Sequence, residues 1–150
     1  MIPSEVSERV LSQLSESSLT GASLRKEAMR LLDALEGYDW SGIYRLEGDE
    51  LVLDEYVGEA TDHTHIPVGR GVCGTAVSED RNQVIPDVRD LSNYLSCSVH
   101  TRSEIVVLIR DTEGRVLGQI DIDGHQVGAF DASDEAFLTR VGDLLAGRWA

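Results

Sequence analysis

Two cysteines and a handful of acids are the residues of this 150-residue chain whose types and surroundings could do chemistry. Cys73 sits in IPVGRGVCGTAV (66–77), crowded by Gly69, Gly71 and Gly74 ahead of a short helical stretch. Backbone N–H groups and a helix N-terminus beside a thiol favour the thiolate, the form that attacks electrophiles. The plainer reading is a small side chain packed at a helix start. Cys97 lies in NYLSCSVHTRSE, an irregular stretch of the kind where functional residues concentrate.

In GQIDID, alternation puts Gln119, Asp121 and Asp123 on one face of a strand and Ile120 and Ile122 on the other. Aspartate is disfavoured in strands and two on one face repel each other, so that face is either wet or the wall of a pocket. Glu104 opens the preceding strand and, in one register, faces the same way. Three carboxylates in one pocket would raise at least one pKa, leaving a proton to donate near neutral pH, and would attract a substrate ammonium. His63, His65 and His100 could join a cysteine around zinc, but the tight spacings of structural zinc modules are missing, and no metal is expected. Gly69-Arg70-Gly71 lacks the lysine and the full glycine spacing of a phosphate loop.

The elements that must position these residues are readable from periodicity. Val6, Val10, Leu11 and Leu14 mark a helix over 4–15, and Leu24, Ala28, Leu31, Leu32 and Leu35 a second over 23–36, with Ser23 as a candidate N-cap and SSLTGAS as a linker. A hairpin follows, turning at Glu47–Glu50, then a loop from Gly58 to Gly71. After Cys73 come a short helix to about Glu79, a strand at 83–85, a second hairpin turning at Asp111–Gly114, and a terminal helix from Ala132 capped by Asp131 or Ser133. The order implies one α+β domain over 1–150: a central antiparallel sheet with N- and C-terminal helices packed on one face, 1–21 being a helical extension and linker and 22–150 the core.

Apolar residues make up 41% of the chain and charged residues 27%, as in a globular protein. A net charge of −14 weighs against nucleic acid and anionic membranes as partners. No stretch is long and apolar enough to span a bilayer, and MIPSEVSERV lacks the layout of a secretory signal, so a cytoplasmic location is expected. Two cysteines make no disulfide framework.

Together, YDWSGIYRLEGDELVL, IPVGRGVCGTAV, SEIVVLI and LGQIDID, in that order, resemble a GAF domain. More narrowly, they resemble the free methionine-(R)-sulfoxide reductases, stand-alone GAF domains; the likeness spans Leu31 to the C-terminus. It implies reduction of the R-sulfoxide of the free amino acid through a cysteine sulfenic acid, with thioredoxin or a small thiol as external reductant and no bound cofactor. It also implies the roles. Cys97 matches the reactive cysteine, seven residues before Glu104, and Cys73 the cysteine of the family's GVCGTA loop. Glu104, Asp121 and Asp123 match substrate-binding carboxylates, Glu104 and Asp123 with catalytic roles as well. Trp40 matches the tryptophan that packs on the substrate methyl, and Tyr44 follows at the family spacing. Where the family carries a resolving cysteine ten residues before Cys73, this chain has His63; Ser98 replaces aspartate, Leu108 proline and Gly124 serine. A GAF-type sensory or ligand-binding module without turnover is the alternative. The apolar stripe from Leu24 to Leu35 makes a homodimer an expectation too.

Overall fold

The computed structural model describes residues 1–92, 94 and 99–150. Helices α1 (Ser4–Glu16) and α2 (Gly21–Asp33) precede strands β1 (Trp40–Glu47), β2 (Glu50–Val57) and β3 (His65–Pro67). Helix α3 (Gly71–Glu79), β4 (Gln83–Ile85), a single 3-10 turn (Val88–Asp90), β5 (Ser103–Arg110), β6 (Val116–Gly124) and α4 (Ala132–Ala146) complete the chain. The six strands form one sheet in the order β3-β2-β1-β6-β5-β4, antiparallel at every pairing.

Strand alternation splits this sheet into two unlike faces. Ile43, Ile105, Val107, Ile109, Ile120 and Ile122 join Leu11, Leu14, Leu24, Leu32, Phe137 and Val141 in the larger core, so α1, α2 and α4 cover one side. On the other side Tyr44, Leu51, Ile66, Val106 and Leu108 pack with Val72, Cys73 and Ala76 of α3. This is the α+β architecture expected, terminal helices on one face. Leu24, Ala28 and Leu32 are buried within the chain, with Leu31 and Leu35 packed against the same core. The stripe read as a surface for pairing two copies is therefore occupied by the chain's own sheet.

Two local readings change. A short strand, β3, lies inside the expected 58–71 loop; only Ile66 of its three residues is buried, too brief a signal for periodicity. Helix α2 starts at Gly21, after Thr20 rather than Ser23, and neither hydroxyl caps it. The Gly21 N–H instead donates to the carbonyl of Arg148 at 2.8 Å, a long-range bond invisible in local sequence. At α4 the cap is Asp131, in a reciprocal capping box with Asp134.

Asp134 is buried, accepting from the Tyr38 hydroxyl (2.7 Å) and from the Asp131 N–H (2.9 Å). Asp134→Ala removes half the box and strands a buried phenol, so it is expected to cost about 2–3 kcal/mol in urea unfolding. Tyr38→Phe in the same background should then cost little more, because its partner is already gone.

Candidate active site

The sheet register gathers the acids. Glu104 pairs with Asp123, which pairs on its other side with Trp40; Asp121 lies between Gly42 and Val106. All are on the face that α3 covers. Exposure of Glu104, Asp121 and Asp123 is 3%, 0% and 1%, so the face is a buried acidic wall and not a wet surface. Gln119 continues the row, buried, with no hydrogen-bond partner for its amide among the described residues.

Cys73 closes over this wall from α3. The tight entry is made by glycines: Gly69 and Gly71 have φ of +95° and +65°, and a Cβ on Gly74 would lie 2.6 Å from the Pro67 carbonyl oxygen. The Gly69 N–H donates to the Gly74 carbonyl, and the Gly74 N–H to that of Arg70. Cys73 thus lies in the first turn of α3, as expected, but the partners its side chain meets are carboxylates. Its Sγ is 3.3 Å from Asp121 Oδ2 and 3.9 Å from Glu104 Oε2.

Burial, reinforced by the charges of Asp121 and Asp123, pushes the Glu104 carboxyl well above its ordinary range. Burial also raises Asp121, but hydrogen bonds from Glu104 and the Cys73 thiol hold it back. Both carboxyls are thus raised and share a hydrogen bond, so the pair holds a proton between Glu104 and Asp121. One neutral acid and one hydrogen-bonded carboxylate side by side are the two forms that proton donation and ammonium binding respectively need.

Trp40 borders the acids. Its indole packs against Gly42, where a Cβ would overlap the ring, and a Cβ on Gly58 would lie 2.8 Å from it. Its Nε1–H donates to the Glu59 carbonyl at 2.8 Å, and the ring stacks on Tyr56 with centroids 5.8 Å apart. Gly42, Gly58 and Tyr56 were not singled out from sequence, although a glycine between two aromatics inside a strand signals a close approach. Tyr44, buried four residues after Trp40, donates its hydroxyl to the His63 carbonyl at 2.8 Å, tying the 58–65 segment to the sheet.

Cys97, the expected nucleophile, falls outside the described residues, as does Ser98. Among the described residues, the one thiol, imidazole and carboxylate grouping close enough to share an ion is Cys73, Glu104 and Asp121; no histidine belongs to it. His65 is exposed on β3 and its ring contacts Thr64. No helix among the described residues is long and apolar enough to cross a membrane.

Residues 23–149 match the family model of the GAF domain. The chain is 37% identical over 120 residues to free methionine-R-sulfoxide reductase of Escherichia coli, covering 80% of this chain and 72% of that one. The X-ray structure of free methionine-R-sulfoxide reductase from Neisseria meningitidis, in complex with its substrate, superposes with a TM-score of 0.86 at 31% identity, over 97% and 86% of the two chains. A putative GAF sensor protein from Burkholderia vietnamiensis superposes at 0.83 with 27% identity, over 97% and 91%.

Proposed function

This chain belongs to the GAF domain family, and from that premise we propose that it reduces free L-methionine-(R)-sulfoxide to methionine at the expense of thiols. The buried Glu104–Asp121 pair, bordered by Cys73 and the Trp40 shelf, is the observation that carries the reading. A sulfoxide is a poor electrophile until its oxygen is protonated or hydrogen-bonded, and a buried neutral carboxyl supplies that proton. The α-ammonium of a free amino acid is the complementary charge for Asp121 and Asp123, and the flat indole offers an apolar face to the S-methyl group.

In this reading the Cys97 thiolate attacks the sulfoxide sulfur while Glu104 protonates the departing oxygen. The oxygen ends on sulfur as Cys97 sulfenic acid and methionine leaves. A thiol condenses with the sulfenic acid, releasing water and forming a disulfide; a second thiol restores Cys97 and carries away the oxidised pair. The reaction consumes two thiols per sulfoxide, and no resident cofactor is required. The test is formation of methionine from the separated R and S diastereomers of the free sulfoxide with dithiothreitol as reductant. Methionine from the R form alone supports the reading; none from either form overturns it.

His63 favours a second reading, since it stands where the family resemblance implies a resolving cysteine. A GAF module that binds a small ammonium-bearing ligand without turning it over would keep Glu104, Asp121 and Trp40 and have no need of a resolver. Saturable binding of methionine-(R)-sulfoxide without methionine formation distinguishes it.

The same position governs recycling. Cys73, 5% exposed, is the other protein thiol, and a disulfide with Cys97 requires their Cα atoms to come within about 7 Å. Dithiothreitol is expected to support turnover better than thioredoxin. Mass spectrometry after one equivalent of substrate should find Cys97 sulfenic acid, or its mixed disulfide with added thiol, ahead of a Cys73–Cys97 bond. Rapid, complete formation of the internal bond with efficient thioredoxin turnover contradicts this.

A further inference from the structure

We propose that Cys73, Glu104 and Asp121 form a binding site for a thiophilic divalent cation of the Zn2+ class, and that its occupancy closes the acidic pocket to ammonium-bearing ligands. The ligand atoms come from α3, β5 and β6, far apart in sequence, so no short zinc motif announces them. In a tetrahedral zinc site with Zn–S near 2.3 Å and Zn–O near 2.0 Å, a sulfur and an oxygen ligand stand about 3.5 Å apart. Cys73 Sγ lies 3.3 Å from Asp121 Oδ2 and 3.9 Å from Glu104 Oε2, either side of that edge length. All three ligand atoms fall within 4.8 Å of one another.

A second observation points to a ligand. Glu104 Oε1 and Asp121 Oδ1 are buried on nearly inaccessible side chains with no hydrogen-bond partner among the described residues. Buried carboxylates short of donors are costly, and a cation ligated by Oε2 and Oδ2 offsets that cost by neutralising the charge each carboxylate spreads over both its oxygens. The donor set selects the ion. A thiolate with two carboxylates suits Zn2+ or Co2+, whereas Mg2+ and Ca2+ take oxygen ligands alone. Binding takes the thiolate form of Cys73, so its thiol proton passes to solvent as the metal enters. Three protein ligands leave the fourth position to water. Inhibition of turnover by Zn2+ rests on the proposed reductase reading; binding itself does not.

The experiment titrates the full chain, kept reduced with a phosphine, with Co2+ and then Zn2+. One equivalent of Co2+ is expected to produce a thiolate-to-metal charge-transfer band in the near ultraviolet, and Zn2+ to remove it. Cys73→Ser should abolish the band and weaken Zn2+ binding by more than about 100-fold, and Asp121→Asn should weaken it at least tenfold while keeping the band. Cys97→Ser should leave band and affinity in place. Should Cys73→Ser fail to fold, protection of Cys73 from alkylation by Zn2+ in the unmodified chain, read by mass spectrometry, decides the matter. No stoichiometric band, a band that follows Cys97, or Zn2+ that leaves Cys73 open to alkylation overturns the proposal.

Discussion

Cys97→Ser is expected to lower methionine formation at least about 10⁴-fold, while Cys73→Ser is expected to retain a full first turnover. The asymmetry follows from where each sulfur can act. Cys73 is buried against Asp121 and Glu104, whose oxygens are its neighbours at 3.3 and 3.9 Å. A serine there keeps a hydroxyl to donate to Asp121, so the proton held between Glu104 and Asp121 and the ammonium site survive the change. Under the proposed reading Cys97 is the nucleophile, and a hydroxyl is too weak a nucleophile to replace its thiolate. In a rapid-quench assay with one equivalent of substrate, Cys73→Ser should yield close to one methionine per chain, and Cys97→Ser none. Equal loss of the first turnover in both variants removes the assignment.

The second large effect concerns Glu104. Its carboxyl is raised well above the ordinary glutamate value of 4.5, chiefly by burial and then by Asp121 and Asp123. The protonated form is the working form, so kcat falls as pH rises through that elevated pKa. Glu104→Gln keeps the shape but has no acidic proton to give; it is expected to cost about 10²–10³-fold in kcat and to flatten the alkaline limb. The effect of Glu104→Gln on stability has the opposite sign. An acid whose folded pKa exceeds its unfolded one loses stability as pH climbs from about 4.5 through the folded value, because the unfolded chain ionises freely and the native one does not. Glu104→Gln has no charge to bury, so near pH 8 it should unfold at higher urea, by on the order of 1–2 kcal/mol. Reduced stability at pH 8 with an unchanged alkaline limb would show that Glu104 is ionised in the folded chain.

How much of this was legible in sequence depends on the range of the interactions. The 3.6-residue stripes of α1 and α2, the Gly48-Asp49 turn and the Asp131 cap are local, and each element was readable. The alternation in GQIDID placed Gln119, Asp121 and Asp123 on one face, but whether that face was wet depended on α3 folding over it, a contact made from 40 or more residues away. Glu104 reached the same pocket only through the β5–β6 register, which opposes it to Asp123. The α2 start at Gly21 escaped because its partner is the Arg148 carbonyl at the far end of the chain. The bed of Trp40 escaped for another reason. Gly42 and Gly58 act by having no side chain, and a missing atom leaves a mark only once the ring that fills its space is seen.

The central claim is that the buried acids receive the α-ammonium of a free amino acid. The direct measurement compares kcat/KM for free methionine-(R)-sulfoxide with that for its N-acetyl derivative, using the same chain and reductant. A site that pairs buried carboxylates with an ammonium rejects the analogue lacking the charge, because the buried acids then lose the cation that complements them. The account predicts a preference for the free amino acid of at least about 10³-fold. Comparable values for the two substrates would contradict it.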